Sequence, residues 1–137
     1  MRSIADASNA FVSISEYITP AVVSGRNSAA LRARLSALGV THLRLGTEDK
    51  APAAQAILDE LGLDWSQAAA MGDDWPDLPL LTRAAFAAAP PDAHPEVRAR
   101  AHWISGRAAG AGAVRELCDL LLVASGHYRR ELEAALR

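Results

Sequence analysis

Cysteine is almost missing from this 137-residue chain, and aromatic residues make up only 5% of it. The lone Cys118 forms no internal disulfide, which excludes a bridge-stapled secreted fold and fits a reducing compartment. With so little aromatic bulk, the apolar half of the composition is mostly alanine and leucine, which favours helices packed closely on a sheet. Neither sign of charge prevails. The formal net charge is −2, so there is no basic footprint for nucleic acid. No apolar run approaches the roughly 18 residues of a membrane span. Residues 1–17 lack the basic start and apolar centre of a signal peptide. These absences predict a soluble, cytoplasmic chain with no nucleic-acid or membrane partner, and its length suits one domain with one core.

What is present alternates. Ala21-Val22-Val23 reads as a short β-branched strand that ends at Ser24-Gly25-Arg26. Residues 27–38 place Leu31, Leu35 and Leu38 at helical spacing and stop at Gly39. Thr41 to Leu45 alternates like a strand. A helix over about 51–61 carries Ile57, Leu58 and Leu61 inward and ends at Gly62. A strand at 68–71, a helix near 78–84 and a small-residue strand at Phe86-Ala87-Ala88-Ala89 follow. A short helix at 95–101 leads to a strand at His102–Ser105. A long helix from about Ala113 to Ser125 and a tail over about 127–136 close the chain. Repeated strand–helix units predict a Rossmann-like α/β fold with a parallel sheet covered on both faces. Residues 1–17 do not keep this rhythm. Phe11-Val12-Ser13-Ile14 lies too close to Pro20 for a parallel crossover of a dozen or more residues. The expected division is therefore a weakly ordered leader over 1–17 and a folded unit over 18–137.

Chemistry gathers at the strand ends. Met71-Gly72-Asp73-Asp74-Trp75-Pro76-Asp77 fires three carboxylates directly after a buried-type run, at the ligand edge of a parallel sheet. Clustered carboxylates need a cation or basic side chains to stay ionised together. Hard oxygen donors on a loop suit Mg²⁺, which leaves room for phosphate oxygens. The plain alternative is a solvated turn that starts the helix near Leu78. Ser24 offers a hydroxyl, Gly25 an amide that approaches an anion closely, and Lys50 a positive charge. Together they describe a phosphate site with Asp73, Asp74 and Asp77 on its metal side.

Val23-Ser24-Gly25-Arg26, Gly39-Val40-Thr41-His42-Leu43, Asp49-Lys50, Met71 through Pro79, Pro91-Asp92-Ala93-His94-Pro95 and Gly112 through Asp119 follow one another in a specific order and spacing. In these motifs the sequence resembles the 3-deoxy-D-manno-octulosonate 8-phosphate phosphatases, capless members of the haloacid dehalogenase superfamily, over about residues 18–137. The resemblance implies a Mg²⁺-dependent phosphatase of a sugar acid phosphate. It makes Ser24 and Lys50 catalytic residues that hold the phosphoryl group with the Gly25 amide. It implies Asp73 as a Mg²⁺ ligand, with Asp74 and Asp77 completing the acidic shell directly, through water or by orienting Lys50. Arg26 becomes a contact for the sugar acid, or else a surface salt bridge. Attack by an aspartate, assisted by a second aspartate and Mg²⁺, is the family's chemistry, and its members are usually homotetramers.

One departure limits the expectation. The family's first motif, Asp-x-Asp on the central strand, is absent, because the only acids before Ser24 are Asp6 and Glu16. The hairpin after that motif is missing too, as is the strand expected between those ending at Val23 and Met71. Ala109-Gly110-Ala111-Gly112 also lacks the arginine common in relatives. The sequence as it stands is expected to be inactive. It reads either as a truncated gene product or as a non-catalytic binding or regulatory module. The surviving residues useful only for catalysis favour truncation. Other motifs carry less. Gly110-Ala111-Gly112 lacks the third glycine of a dinucleotide fingerprint, the four histidines have no zinc spacing, and Ser24 has no His–Asp set. Cys118, Trp65 and Trp103 are expected in packing roles, and Trp75 in packing or at the substrate mouth. His94 is expected to make a structural hydrogen bond, and residues 113–136 to dock on the sheet or to oligomerise.

Overall fold

A computed structural model describes residues 17–137; the expectation of weak order falls, for residues 1–16, outside the described residues. Strand β1 (Ala21–Ser24) and strand β2 (His42–Leu45) pair in parallel, in register from Ala21 opposite His42 to Ser24 opposite Leu45. Helix α1 (Ala29–Ala37) makes the crossover. It starts where Ser28 Oγ accepts the Leu31 amide at 3.1 Å, satisfying a helix-start donor that would otherwise lack a partner. Its Leu35 is fully buried with Val40, and Val22, Leu31, Leu38, Leu43 and Leu45 pack around them. Helix α2 (Lys50–Leu61) follows and ends at Gly62, whose φ of 67° suits a residue without a Cβ.

The second half repeats the plan with smaller residues. Strands β3 (Ala69–Met71), β4 (Phe86–Ala89) and β5 (Trp103–Ile104) form a parallel trio in that order. Helices α3 (Leu78–Arg83) and α4 (Pro95–Arg100) connect them. Ala87, Ala88 and Ala89 are fully buried, so β4 is the central strand of its sheet. Ala87 and Ala89 share a cluster with Leu81, Ala93 and Val97. Lacking bulk at these positions, the sheet admits its helices closely, as the alanine-rich composition predicts. Helices α5 (Ala113–Ala124) and α6 (Tyr128–Ala135) complete the chain.

The Rossmann-like α/β expectation with parallel pairing holds, and each expected element from β1 onward is present, with ends shifted by one or two residues. Among the described residues no strand joins the β1–β2 pair to the β3–β4–β5 trio, in keeping with the strand expected there but not found in the sequence. The halves are tied instead through α2, which packs on β1, β2 and α3. No helix of the described residues is long and apolar enough to cross a membrane.

Tyr17, which the sequence division assigns to the leader, is anchored on the C-terminal helices. Its ring stacks on His127 with centroids 3.8 Å apart, and its hydroxyl donates to Glu131 Oε1 at 2.8 Å. It also packs against the buried Cys118 and Leu122. Burial pushes the Cys118 thiol up to about 11, because the thiolate loses its hydration there. Two consequences are measurable. At pH 8 native Cys118 should alkylate at least tenfold more slowly than in urea, since only the thiolate attacks. Stability should also fall as pH rises from 9 towards 11, where the unfolded thiol ionises and the folded one does not. Equal alkylation rates in native and unfolded chain would contradict this burial.

Candidate active site

Every sequence-predicted site residue lies at the C-terminal end of a strand or in the loop, turn or helix start that follows it. Register explains the first grouping. Ser24 opposite Leu45 ends β1 and β2 at the same level, so the loops carrying Gly25 and Lys50 leave the sheet side by side. The Thr47 amide donates to the Ser24 carbonyl at 3.1 Å, and the Gly46 amide to the Arg26 carbonyl at 3.2 Å. Ser24 itself is buried, with its Oγ accepting the Arg26 amide at 3.1 Å. That hydrogen bond leaves the hydroxyl proton available as a donor. Gly25 sits against Glu48, whose Oε1 would stand 3.0 Å from any Cβ at this position. Arg26 is exposed and forms no ion pair among the described residues.

Lys50 opens α2 and reaches across to the second half. Its Nζ donates to Asp77 Oδ1 at 2.7 Å, with the lysine side chain 13% exposed and the aspartate 14%. The other carboxylate oxygen of Asp77 accepts the amides of Asp73 at 3.0 Å and Asp74 at 3.2 Å. Asp77 therefore closes the acidic loop on itself and points the loop at Lys50. Asp74 Oδ1 accepts the Trp75 amide at 2.8 Å, and the Asp77 amide donates to the Asp74 carbonyl at 3.0 Å. The 3₁₀ turn Trp75–Asp77 is thus held by a reciprocal capping box.

Of the three ways expected for Asp74 and Asp77 to complete the acidic shell, Asp77 takes the last, orienting Lys50. Among the described residues no group of three or more histidine, cysteine, aspartate or glutamate side chains converges as a metal site. The reason is local. A tight turn straight after a strand exposes amides that need acceptors, and the carboxylates of Asp74 and Asp77 serve them. Asp73 alone remains open, exposed and without a hydrogen bond or ion pair to its carboxylate among the described residues. One open carboxylate, on a loop that Asp77 ties to Lys50, suits a divalent cation that takes one or two carboxylates and leaves its other positions to water and phosphate.

The loop after β4 braces the acidic loop. The His94 amide donates to the Asp73 carbonyl at 2.9 Å, and its Nδ1 accepts the Glu96 amide at 3.1 Å at the start of α4. The indole N–H of Trp75 is directed at the His94 ring, 3.1 Å from Nδ1 and 3.2 Å from Nε2. The expected structural hydrogen bond of His94 is present, and the histidine holds backbone on both sides. Asp92 Oδ1 accepts the Ala109 amide at 2.9 Å, tying in the glycine-rich turn before α5. Sequence reasoning missed the role of Gly72. A Cβ there would lie 2.3 Å from the Asp77 Cβ, so Asp77 reaches its position only because residue 72 has no side chain. The glycine reads in sequence merely as the end of a strand. A cavity of about 420 Å³ lies beside α2, lined by Asp49, Gln55, Trp65 and Arg83 among others; it includes neither Ser24 nor Asp73, and the site is an open edge.

Known proteins resemble this chain in sequence and in fold. The family model of the haloacid dehalogenase-like hydrolases matches residues 40–117. The 3-deoxy-D-manno-octulosonate 8-phosphate phosphatase of Yersinia pestis is 39% identical over 111 residues, 81% of this chain and 59% of that protein. The chain thus spans less than two thirds of that relative. A crystal structure of the Moraxella catarrhalis phosphatase of the same name, in complex with magnesium ion, phosphate ion and KDO, superposes with a TM-score of 0.92. It is 30% identical, and the match covers 97% of this chain and 76% of that one. The cobalt-bound Haemophilus influenzae phosphatase gives a TM-score of 0.85 at 31% identity, covering 88% and 71%. With its strand-end motifs set on the same scaffold as these proteins, the chain belongs to the haloacid dehalogenase-like hydrolases, in the 3-deoxy-D-manno-octulosonate 8-phosphate phosphatase family.

Proposed function

We propose that this chain carries the phosphate-binding and metal-binding part of a Mg²⁺-dependent phosphatase acting on a sugar acid phosphate of the 3-deoxy-D-manno-octulosonate 8-phosphate type. The observation that carries the reading is the Lys50–Asp77 pair, which holds the loops after β2 and β3 together with Asp73 left open. Ser24 donates its hydroxyl proton, and the Gly25 amide its N–H, to phosphoryl oxygens. Lys50, steadied by Asp77, neutralises phosphate charge from the other side. Asp73 holds Mg²⁺, which when bound offsets the charge of the transferring phosphoryl group. Arg26, whose side chain has no ion pair among the described residues, receives the carboxylate of the sugar acid.

The sequence contains no Asp-x-Asp, and with it goes the nucleophile of the family's chemistry. We therefore expect the chain to release no phosphate from the sugar acid phosphate, with or without Mg²⁺. Mg²⁺ should nevertheless raise the melting temperature, since binding to the native state alone stabilises it, and Asp73→Asn should remove that rise. Turnover abolished by Asp73→Ala would overturn the expected inactivity, and an unchanged melt would overturn the metal assignment. A non-catalytic binding or regulatory module is the second reading, favoured by the same missing motif. An Asp-x-Asp-Gly strand encoded in the DNA ahead of Met1 would decide against it. Val123 on α5, Tyr128 and Leu132 on α6 and Leu136 just beyond it are exposed and support assembly into a homo-oligomer, a tetramer by family resemblance, in the cytoplasm.

A further inference from the structure

Trp75 is the exposed aromatic of the acidic loop, at 59% accessibility. Its backbone is pinned by Asp74 Oδ1 on the amide, and Pro76 follows it in the turn. Its ring is pinned as well. The only polar atom of the indole is spent on the His94 imidazole, which stands edge-on with centroids 5.6 Å apart and planes at 85°. His94 cannot drift, because its amide and Nδ1 are tied to the Asp73 carbonyl and the Glu96 amide. The result is a fixed apolar ring two residues from the open carboxylate of Asp73. Fixing the side chain beforehand removes most of the ordering cost of using it as a contact. Binding sites commonly combine such an aromatic wall with a few polar groups that set orientation. Arg26 is assigned to the carboxylate and the other polar groups at this edge to the phosphate and its metal, so none of them addresses the C–H face of the sugar.

We propose that the indole face of Trp75 stacks on the apolar C–H face of the sugar portion of the substrate and selects for it. The proposal rests on the sugar acid phosphate reading and adds a group that recognises the apolar face of the sugar, which bare phosphate lacks. Aromatic surface offered in a fixed pose contributes through area and through contact geometry together, so its removal should act on the sugar and leave phosphate untouched.

The test uses the full chain with Trp65 and Trp103 changed to phenylalanine, so that emission reports Trp75 alone. Titration with 3-deoxy-D-manno-octulosonate in Mg²⁺ should shift the emission. Calorimetry should show Trp75→Leu weakening sugar acid binding about tenfold, with Mg²⁺-dependent binding of inorganic phosphate unchanged. Trp75→Phe, which keeps a ring face and gives up the N–H, should stay within about threefold of the parent for the sugar acid. Equal sugar acid affinity in Trp75→Leu would overturn the proposal alone, as would a matching loss of phosphate affinity, which would mark a loop defect. Binding of neither ligand by the parent would overturn the reading beneath it. An emission shift that follows protein concentration and ignores the sugar acid would also overturn the proposal, because a second copy would then cover the indole.

Discussion

Asp77→Ala should lower stability by about 3 kcal/mol, the scale on which removing one member of a buried ion pair leaves the other charge unpaired. Both side chains of the Lys50–Asp77 pair are nearly enclosed, at 13% and 14% exposure, so solvent makes up little of the loss. The same substitution strips the acceptor from the Asp73 and Asp74 amides. For a chain of this size the melting temperature should drop by about 10 °C. The partner substitution is informative because it is unequal. Lys50→Met leaves Asp77 with two backbone donors, so it should cost less than Asp77→Ala. In the double variant the unpaired ammonium is gone, and part of the loss should return as a coupling of more than about 1 kcal/mol. Urea titration of the four proteins measures the cycle. A single Asp77→Ala protein melting within about 2 °C of the parent would remove the pair from any structural role.

Gly72→Ala should be comparably damaging for a different reason. The added Cβ would stand 2.3 Å from the Asp77 Cβ, 2.5 Å from its Cγ and 2.6 Å from Oδ2, where carbon atoms prefer about 3.5–4.0 Å. Rotating the Asp77 side chain relieves the last two contacts but not the first, because a Cβ is placed by its backbone. The acidic loop must therefore open, at a cost of about 3 kcal/mol, and Lys50 loses its partner as it does so. The rescue pattern separates this from a simple loss of the carboxylate. Gly72→Ala should remain costly on top of Asp77→Ala, which keeps the Cβ. It should cost less than about 1 kcal/mol on top of Asp77→Gly, which removes it. Denaturant midpoints of these variants decide the matter, and equal increments in the two backgrounds would rule out the Cβ contact.

Much of this architecture was legible in the residues. Short apolar runs such as Ala21-Val22-Val23 and Phe86-Ala87-Ala88-Ala89, closed by Ser-Gly and by Pro-Pro, mark parallel strands, which read as continuous rather than alternating apolar segments. Helices announced themselves through leucine spacing and stop residues such as Gly62. The placement of Ser24, Lys50 and Asp73 on one edge followed from strand order alone. The division of labour among the three acids did not, because it depends on which amides the turn at Trp75–Asp77 leaves unsatisfied. A carboxylate in sequence looks the same whether it holds a metal, caps a turn or steadies a lysine. The Gly72 contact was hidden for the same reason, since close approach is a property of the folded loop. Tyr17 on His127 and Glu131 joins residues more than a hundred positions apart, beyond the reach of any local pattern.

Lys50 has one more property, visible only when the ion pair is set against the whole sequence. It is the single lysine of the chain, with arginine supplying every other permanent positive side chain. Its ammonium is hydrogen-bonded to Asp77 and largely shielded, and an acylating reagent needs the neutral, accessible amine. A side-chain amide can therefore form at one place only, and only when the loops that hold Lys50 against Asp77 part far enough to release it. The rate at which the chain takes up a single acetyl group on that side chain is then a clock for the opening of the molecule at its own seam.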